Sequence, residues 1–132
     1  MDLNSLVPTT DTITVLIKHP ITDDVLFKDD GTEQSITIYA PHSKEYKTVV
    51  HDAVNKRIQK AQKKKLTTYT AEEIEDASIE SLAKTTKEWD IQLGGKTPKF
   101  SVVEASDLYR KLPWLKDQLI EAQEDYNSFL KV

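Results

Sequence analysis

The 132-residue sequence predicts an α+β fold, mostly helical, with a small antiparallel β unit at the N-terminus followed by about four helices. Three observations carry this. Two short runs rich in β-branched residues, Thr12 to Lys18 and Gln34 to Ala40, lie ahead of Pro41. Beyond Pro41, apolar residues recur at spacings of three and four rather than two. Helix starts are marked at Ser43, Thr70, Ser101 and Pro113. The length fits one domain, residues 1–132, divided into a loose arm (1–11), a β unit (12–40) and a helical part (41–132). A domain of this size buries roughly two-thirds of the surface its unfolded chain exposes, so it can hold a core without metal or disulfide.

In order along the chain, residues 1–11 are polar apart from Leu3, Leu6 and Val7, and include Pro8. Thr12 to Lys18 reads as a strand, and Pro20 ends it by removing a backbone donor. Val25-Leu26-Phe27 is a short segment suited to local pairing before a turn at Asp30-Gly31. Gln34 to Ala40 alternates, with Ile36, Ile38 and Ala40 on one face. Two strands alone are marginal in water, so the β unit must lie on helices or pair with another subunit.

Ser43 is the expected N-cap of a long helix whose apolar face runs through Tyr46, Val49, Val50, Ala53, Val54, the stem of Arg57, Ile58 and Ala61. Lysines 60, 63, 64 and 65 close it, where the helix dipole favours cations. Thr70 and Glu73 form a capping box for a second helix, which ends near Thr86. Its acidic side holds Glu72, Glu73, Glu75, Asp76 and Glu80. A basic helix followed by an acidic one predicts an antiparallel pair with complementary faces, a contact that sets register more than stability. Trp89 to Leu93 alternates briefly before the turn at Gly94-Gly95. Ser101 and Glu104 cap a short helix through Tyr109 or Lys111. Pro113 suits the first turn of a last helix with the stripe Leu115, Leu119, Ala122, Tyr126 and Phe129.

The charge is unevenly spread. Residues 1–40, 41–65, 66–90 and 91–132 carry net −5, +6, −5 and 0, within an overall −4. Such blocks fit pairing within the fold or along an oligomer, and the overall sign argues against a general nucleic-acid binder. The absence of cysteine excludes disulfides, thiolate metal sites and cysteine catalysis. Met1 to Ser5 lacks the basic region and apolar run of a secretory signal. The most apolar run, Ile13 to Ile17, is far shorter than the ~20 residues of a membrane span.

Motifs for chemistry fail one by one. His19, His42 and His51 have no metal-ligand spacing. The acidic stretch from Asp23 to Glu33 lacks the register of a calcium loop. Gly94-Gly95-Lys96-Thr97 lacks the first glycine of a phosphate loop, since Asp90 stands there. No nucleophile, base or carboxylate pair stands in a catalytic context. The expectation is a protein that is not an enzyme, with no cofactor and no metal. The last helix is the most informative surface: Trp114, Leu115, Leu119, Tyr126 and Phe129 are expected to carry structural weight and part of a contact face.

From residue 12 onward the order of features resembles the small tail assembly chaperones of long-tailed bacteriophages. The matching features are Lys18-His19-Pro20, Ala40-Pro41-His42-Ser43-Lys44-Glu45-Tyr46, the basic helix, and the acidic helix running into Trp89-Asp90-Ile91. After these come the glycine turn with Lys96, Pro98-Lys99-Phe100-Ser101, Pro113-Trp114-Leu115-Lys116-Asp117-Gln118 and Phe129. Lys99 stands between Pro98 and Phe100, where the resemblance would have the two adjacent. The resemblance implies a non-enzymatic protein that binds and solubilises the tape measure protein while the tail tube is built around it. It implies self-association, action in the host cytoplasm, and absence from the mature virion. It also implies that this chain matches the shorter of two products, the longer, frameshifted one recruiting tail tube protein. Two other classes remain open: a small phage structural protein for head–tail joining or tail completion, and a nucleic-acid-binding accessory protein using the lysine-rich helix.

Overall fold

A three-stranded antiparallel sheet organises the computed structural model, which describes residues 2–64 and 69–125. Its strands are β1 (Thr12–Leu16), β2 (Ser35–Tyr39) and β3 (Thr86–Asp90), in the order β1-β2-β3. The β1–β2 register runs from Thr12 opposite Tyr39 to Leu16 opposite Ser35. Ile36 and Ile38 alternate onto the buried face, as the pleat requires, while Thr14 and Thr37 meet on the other with hydroxyls 2.9 Å apart. Between the first two strands, isolated bridges join Lys18 to Val25 and Phe27 to Glu33, so the Val25–Phe27 segment does pair locally. Gly31, at φ +88°, turns that segment in a region that side chains other than glycine rarely enter.

Four helices complete the α+β fold: α1 (Lys44–Lys64), α2 (Ala71–Lys84), α3 (Val102–Lys111) and α4 (Pro113–Glu124). Ser43 caps α1 by accepting the Tyr46 amide at 3.1 Å. Thr70 and Glu73 make the full reciprocal capping box of α2, and Ser101 accepts the Glu104 amide at the head of α3. Pro113 occupies the first turn of α4.

The third strand departs from the sequence reading. Alternation at Trp89 to Leu93 marks a short extended segment, but the strand is Thr86–Asp90, and it pairs with the free edge of β2. The preceding helix stops at Lys84, because Thr85 and Thr86 turn their hydroxyls back onto the Leu82 carbonyl at 3.1 and 2.8 Å. Such side-chain bonds compete with continuation of the helix. The sheet is thus completed by a strand that starts at Thr86, where the helix was read to end, which answers the marginality of two strands alone.

The core lies between the sheet and α2, α3 and α4. Ile17, Ile36, Ile38, Ile79, Leu82, Ala83, Ile91, Ala105, Leu108, Tyr109, Leu115 and Leu119 form one buried cluster. Two glutamines of α4 tie it to the sheet. The Gln118 amide brackets the Lys18 backbone, accepting at 3.1 Å and donating at 2.7 Å, and Gln123 donates to the Tyr39 carbonyl at 2.9 Å. Over residues 44–63, no residue of α1 belongs to this cluster. Among the described residues, no helix is long and apolar enough to cross a membrane.

Candidate partner-binding surface

The helix left outside the core is the feature most in need of explanation. Over residues 44–63, α1 has no buried side chain. A helix of 21 residues is about 31 Å long, and most helical stability in proteins comes from packing an apolar face. Beyond Tyr46, the apolar arc of α1 is built from alanine, valine and one isoleucine among lysine and amide residues, so most contacts it makes are small. It leans on α2 in antiparallel fashion and leaves a groove between them of about 480 Å³.

The floor of this groove is apolar: Val49 and Ala53 from α1, Ile74 and Ala77 from α2. Its rims are ionic. Lys60 pairs with Glu73, and one helical stretch away Lys56 reaches Glu80 at 3.8 Å. Glu80 also binds Lys84 at 2.7 Å, and Arg110 of α3 holds Asp76. Tyr69 closes the end near the α1 C-terminus. Its hydroxyl donates to the Arg57 carbonyl at 3.0 Å, and the Arg57 and Lys60 cations stand 5.9 and 5.1 Å from its ring centre. This contact belongs to the cation–π range.

The charges in the rim stabilise one another. The hydrogen bond from Lys60 holds the Glu73 carboxyl below the usual carboxylate range, and the same bond raises Lys60. Lys84 likewise lowers Glu80 and is itself raised. The complementary faces read from the charge blocks are therefore real contacts, and two of the lysines that could have met phosphate are already opposite carboxylates.

The residues expected to form a contact face on the last helix are placed differently. Leu115 and Leu119 are 2% and 0% exposed, inside the core, so their work in the described fold is structural. Trp114 is half-buried and packs against the same cluster. Tyr126 and Phe129 lie outside the described residues. The stripe was legible as a stripe, but periodicity cannot say whether a core or a partner covers it. The α1–α2 groove was missed for the same reason, although the weak apolar content of α1 was the available signal.

Among the described residues, no group of three or more His, Asp or Glu is placed to hold a metal ion. The acidic loop spends its charges locally: Asp30 accepts the Thr32 amide and hydroxyl at 2.9 and 2.6 Å, and Lys28 bridges to Asp90 at 2.6 Å. The Gly94-Gly95 turn is a tight reversal, with Leu93 and Lys96 exchanging backbone bonds of 2.8 and 3.0 Å. Beside it Trp89 donates to the Pro98 carbonyl at 3.0 Å and meets Phe100 edge-on, ring centres 5.2 Å apart. Those aromatics explain the residues of this stretch as packing. Compared with protein-family models, curated proteins and solved structures, the chain matches none.

Proposed function

We propose that this chain is a non-enzymatic tail assembly chaperone of long-tailed bacteriophages, and that its α1–α2 groove holds helical segments of the tape measure protein. The observation that carries the reading is α1, a long helix with no buried side chain over residues 44–63 beside an apolar-floored groove. The order of sequence features from Lys18 to Phe129 supports the same family.

The physics of such a role is simple. An elongated helical client presents apolar stripes that aggregate until the tube encloses them. A groove with an apolar floor and charged rims can take one such stripe in helix-in-groove fashion, while the rims keep the complex in water. Ala53 and Ala77 leave space for the client's larger side chains. Release is as important as capture, because a chaperone of assembly must leave. Small floor residues and solvated ion pairs give modest affinity at each groove, and many copies along one client then supply avidity. The ion pairs of Lys56 and Lys60 with α2 weigh against the nucleic-acid reading. The structural-component reading differs in where the protein ends up.

Co-expression with the tape measure protein encoded nearby tests this. The client expressed alone is expected to be insoluble, and together with this chain to elute as a soluble complex that survives affinity capture. Absence of any complex, together with this protein in purified mature particles, would overturn the chaperone reading in favour of the structural one.

A further inference from the structure

A groove that takes a helix also selects the charges beside that helix's apolar stripe. Among the described residues, five cations line the α1–α2 groove and the smaller hollow of about 250 Å³ beside it: Lys56, Arg57, Lys60, Lys63 and Lys84. Three carboxylates face them, Glu73, Asp76 and Glu80. We propose that the groove selects a helix whose apolar stripe is flanked by carboxylates on the side lying over α1. This rests on the client-binding reading of the groove and names the chemistry of the client segment.

The three carboxylates are taken. Glu73 meets Lys60, Glu80 is shared by Lys56 and Lys84, and Asp76 is held by Arg110 of α3. On the α1 wall, two cations have no carboxylate opposite them among the described residues: Arg57 stands beside the Tyr69 ring, and Lys63 is exposed. Lys56, Lys60 and Lys63 follow one another at steps of four and three, so they share one side of the helix. With Gln59 they line the second hollow. The positive surplus therefore lies along α1, in a chain whose overall charge is −4.

A client helix seats its stripe on Val49, Ala53, Ile74 and Ala77 and lies with one flank over each wall. Carboxylates on the flank over α1 meet Arg57, Lys63 and the sides of Lys56 and Lys60 that face the second hollow. Turned end for end, the same helix carries them over Glu73, Asp76 and Glu80, where like charge repels. The groove thus takes such a helix in one direction. A nucleic acid answers the positive surplus but brings no apolar stripe for the four floor side chains.

Three stapled helical peptides that share one leucine stripe test this, with glutamates on one flank, lysines on that flank, or glutamines on both flanks. Exposed ion pairs are individually weak, so several acting together are expected to make the glutamate peptide bind about fivefold tighter than the glutamine one in fluorescence anisotropy at low salt. In 1 M salt, where charges are screened within about 3 Å, the two should bind alike. Lys63→Glu, an exposed change that leaves the floor intact, should erase most of the preference without weakening the glutamine peptide. Equal binding of the glutamate and glutamine peptides at low salt would overturn the inference and leave the groove reading standing. Tighter binding of the lysine peptide, an unchanged preference in Lys63→Glu, or displacement of the glutamate peptide by an equal concentration of duplex DNA would each overturn it too. No binding of any peptide at millimolar concentration would overturn the groove reading with it.

Discussion

Tyr109 has the largest side chain among the fully buried residues, and it carries a hydroxyl into the core. The hydroxyl meets that of Thr86 at 2.8 Å, which in turn donates to Leu82, so the group is satisfied rather than stranded. Burial pushes its pKa up to about 12, against the smaller opposing pull of the Thr86 bond. In the unfolded chain the phenol loses its proton near pH 10, and in the folded chain about two units later. The folded state therefore holds the extra proton between these values, and stability falls as pH rises through that window, by about 2–3 kcal/mol at its end. Tyr109→Phe should abolish this phenol-linked part of the alkaline loss in urea titrations between pH 9 and 12. At pH 7 it should cost only about 1 kcal/mol. An unchanged alkaline profile would mean that Tyr109 is not held as described. Little of this was legible in the sequence: Tyr109 marked only the end of a helix, and its partner sits on a strand that was read three residues too late. Leu115 and Leu119 showed an apolar stripe through the four-residue step between them, but not that the core covers it.

At the scale of elements, α1 is the piece most weakly attached. Its N-terminus is anchored through Ser43, whose hydroxyl also donates to Ala40 at 2.7 Å. Beyond that it is held by ion pairs and by small apolar side chains. The lowered pKa of Glu73 means that its attraction is present above the ordinary carboxylate range and is lost as pH falls through the folded value. The raised pKa of Lys60 means that its share persists until pH rises above the ordinary lysine value. Between those limits salt is the remaining lever, because exposed pairs are screened within about 3 Å at 1 M salt. Amide exchange in α1 should therefore quicken severalfold between low salt and 1 M salt at neutral pH, with α3 and α4 unchanged. Uniform exchange across all four helices would contradict a separately opening α1. The pairing itself was legible, since a basic block followed by an acidic one has few other places to go. That α1 stays wholly outside the core was not, because apolar periodicity describes a face and not its cover.

For the whole molecule, the core and the groove are separate surfaces. The sheet with α2, α3 and α4 supplies a core that needs no ligand. The groove between α1 and α2 is the surface proposed for a client helix. The α+β class, the N-terminal strands and all four helix starts were legible from caps and periodicity. The third strand was less so, because Thr86 to Asp90 has no alternation to show and is set by pairing with β2. Hydrogen exchange on the purified complex with the tape measure protein tests the central claim most directly. The account predicts that the client slows exchange in residues 44–63 and 71–84 and leaves α3, α4 and the sheet unchanged. A stable complex whose protection falls on the sheet or on α4, with α1 and α2 as open as before, would contradict it.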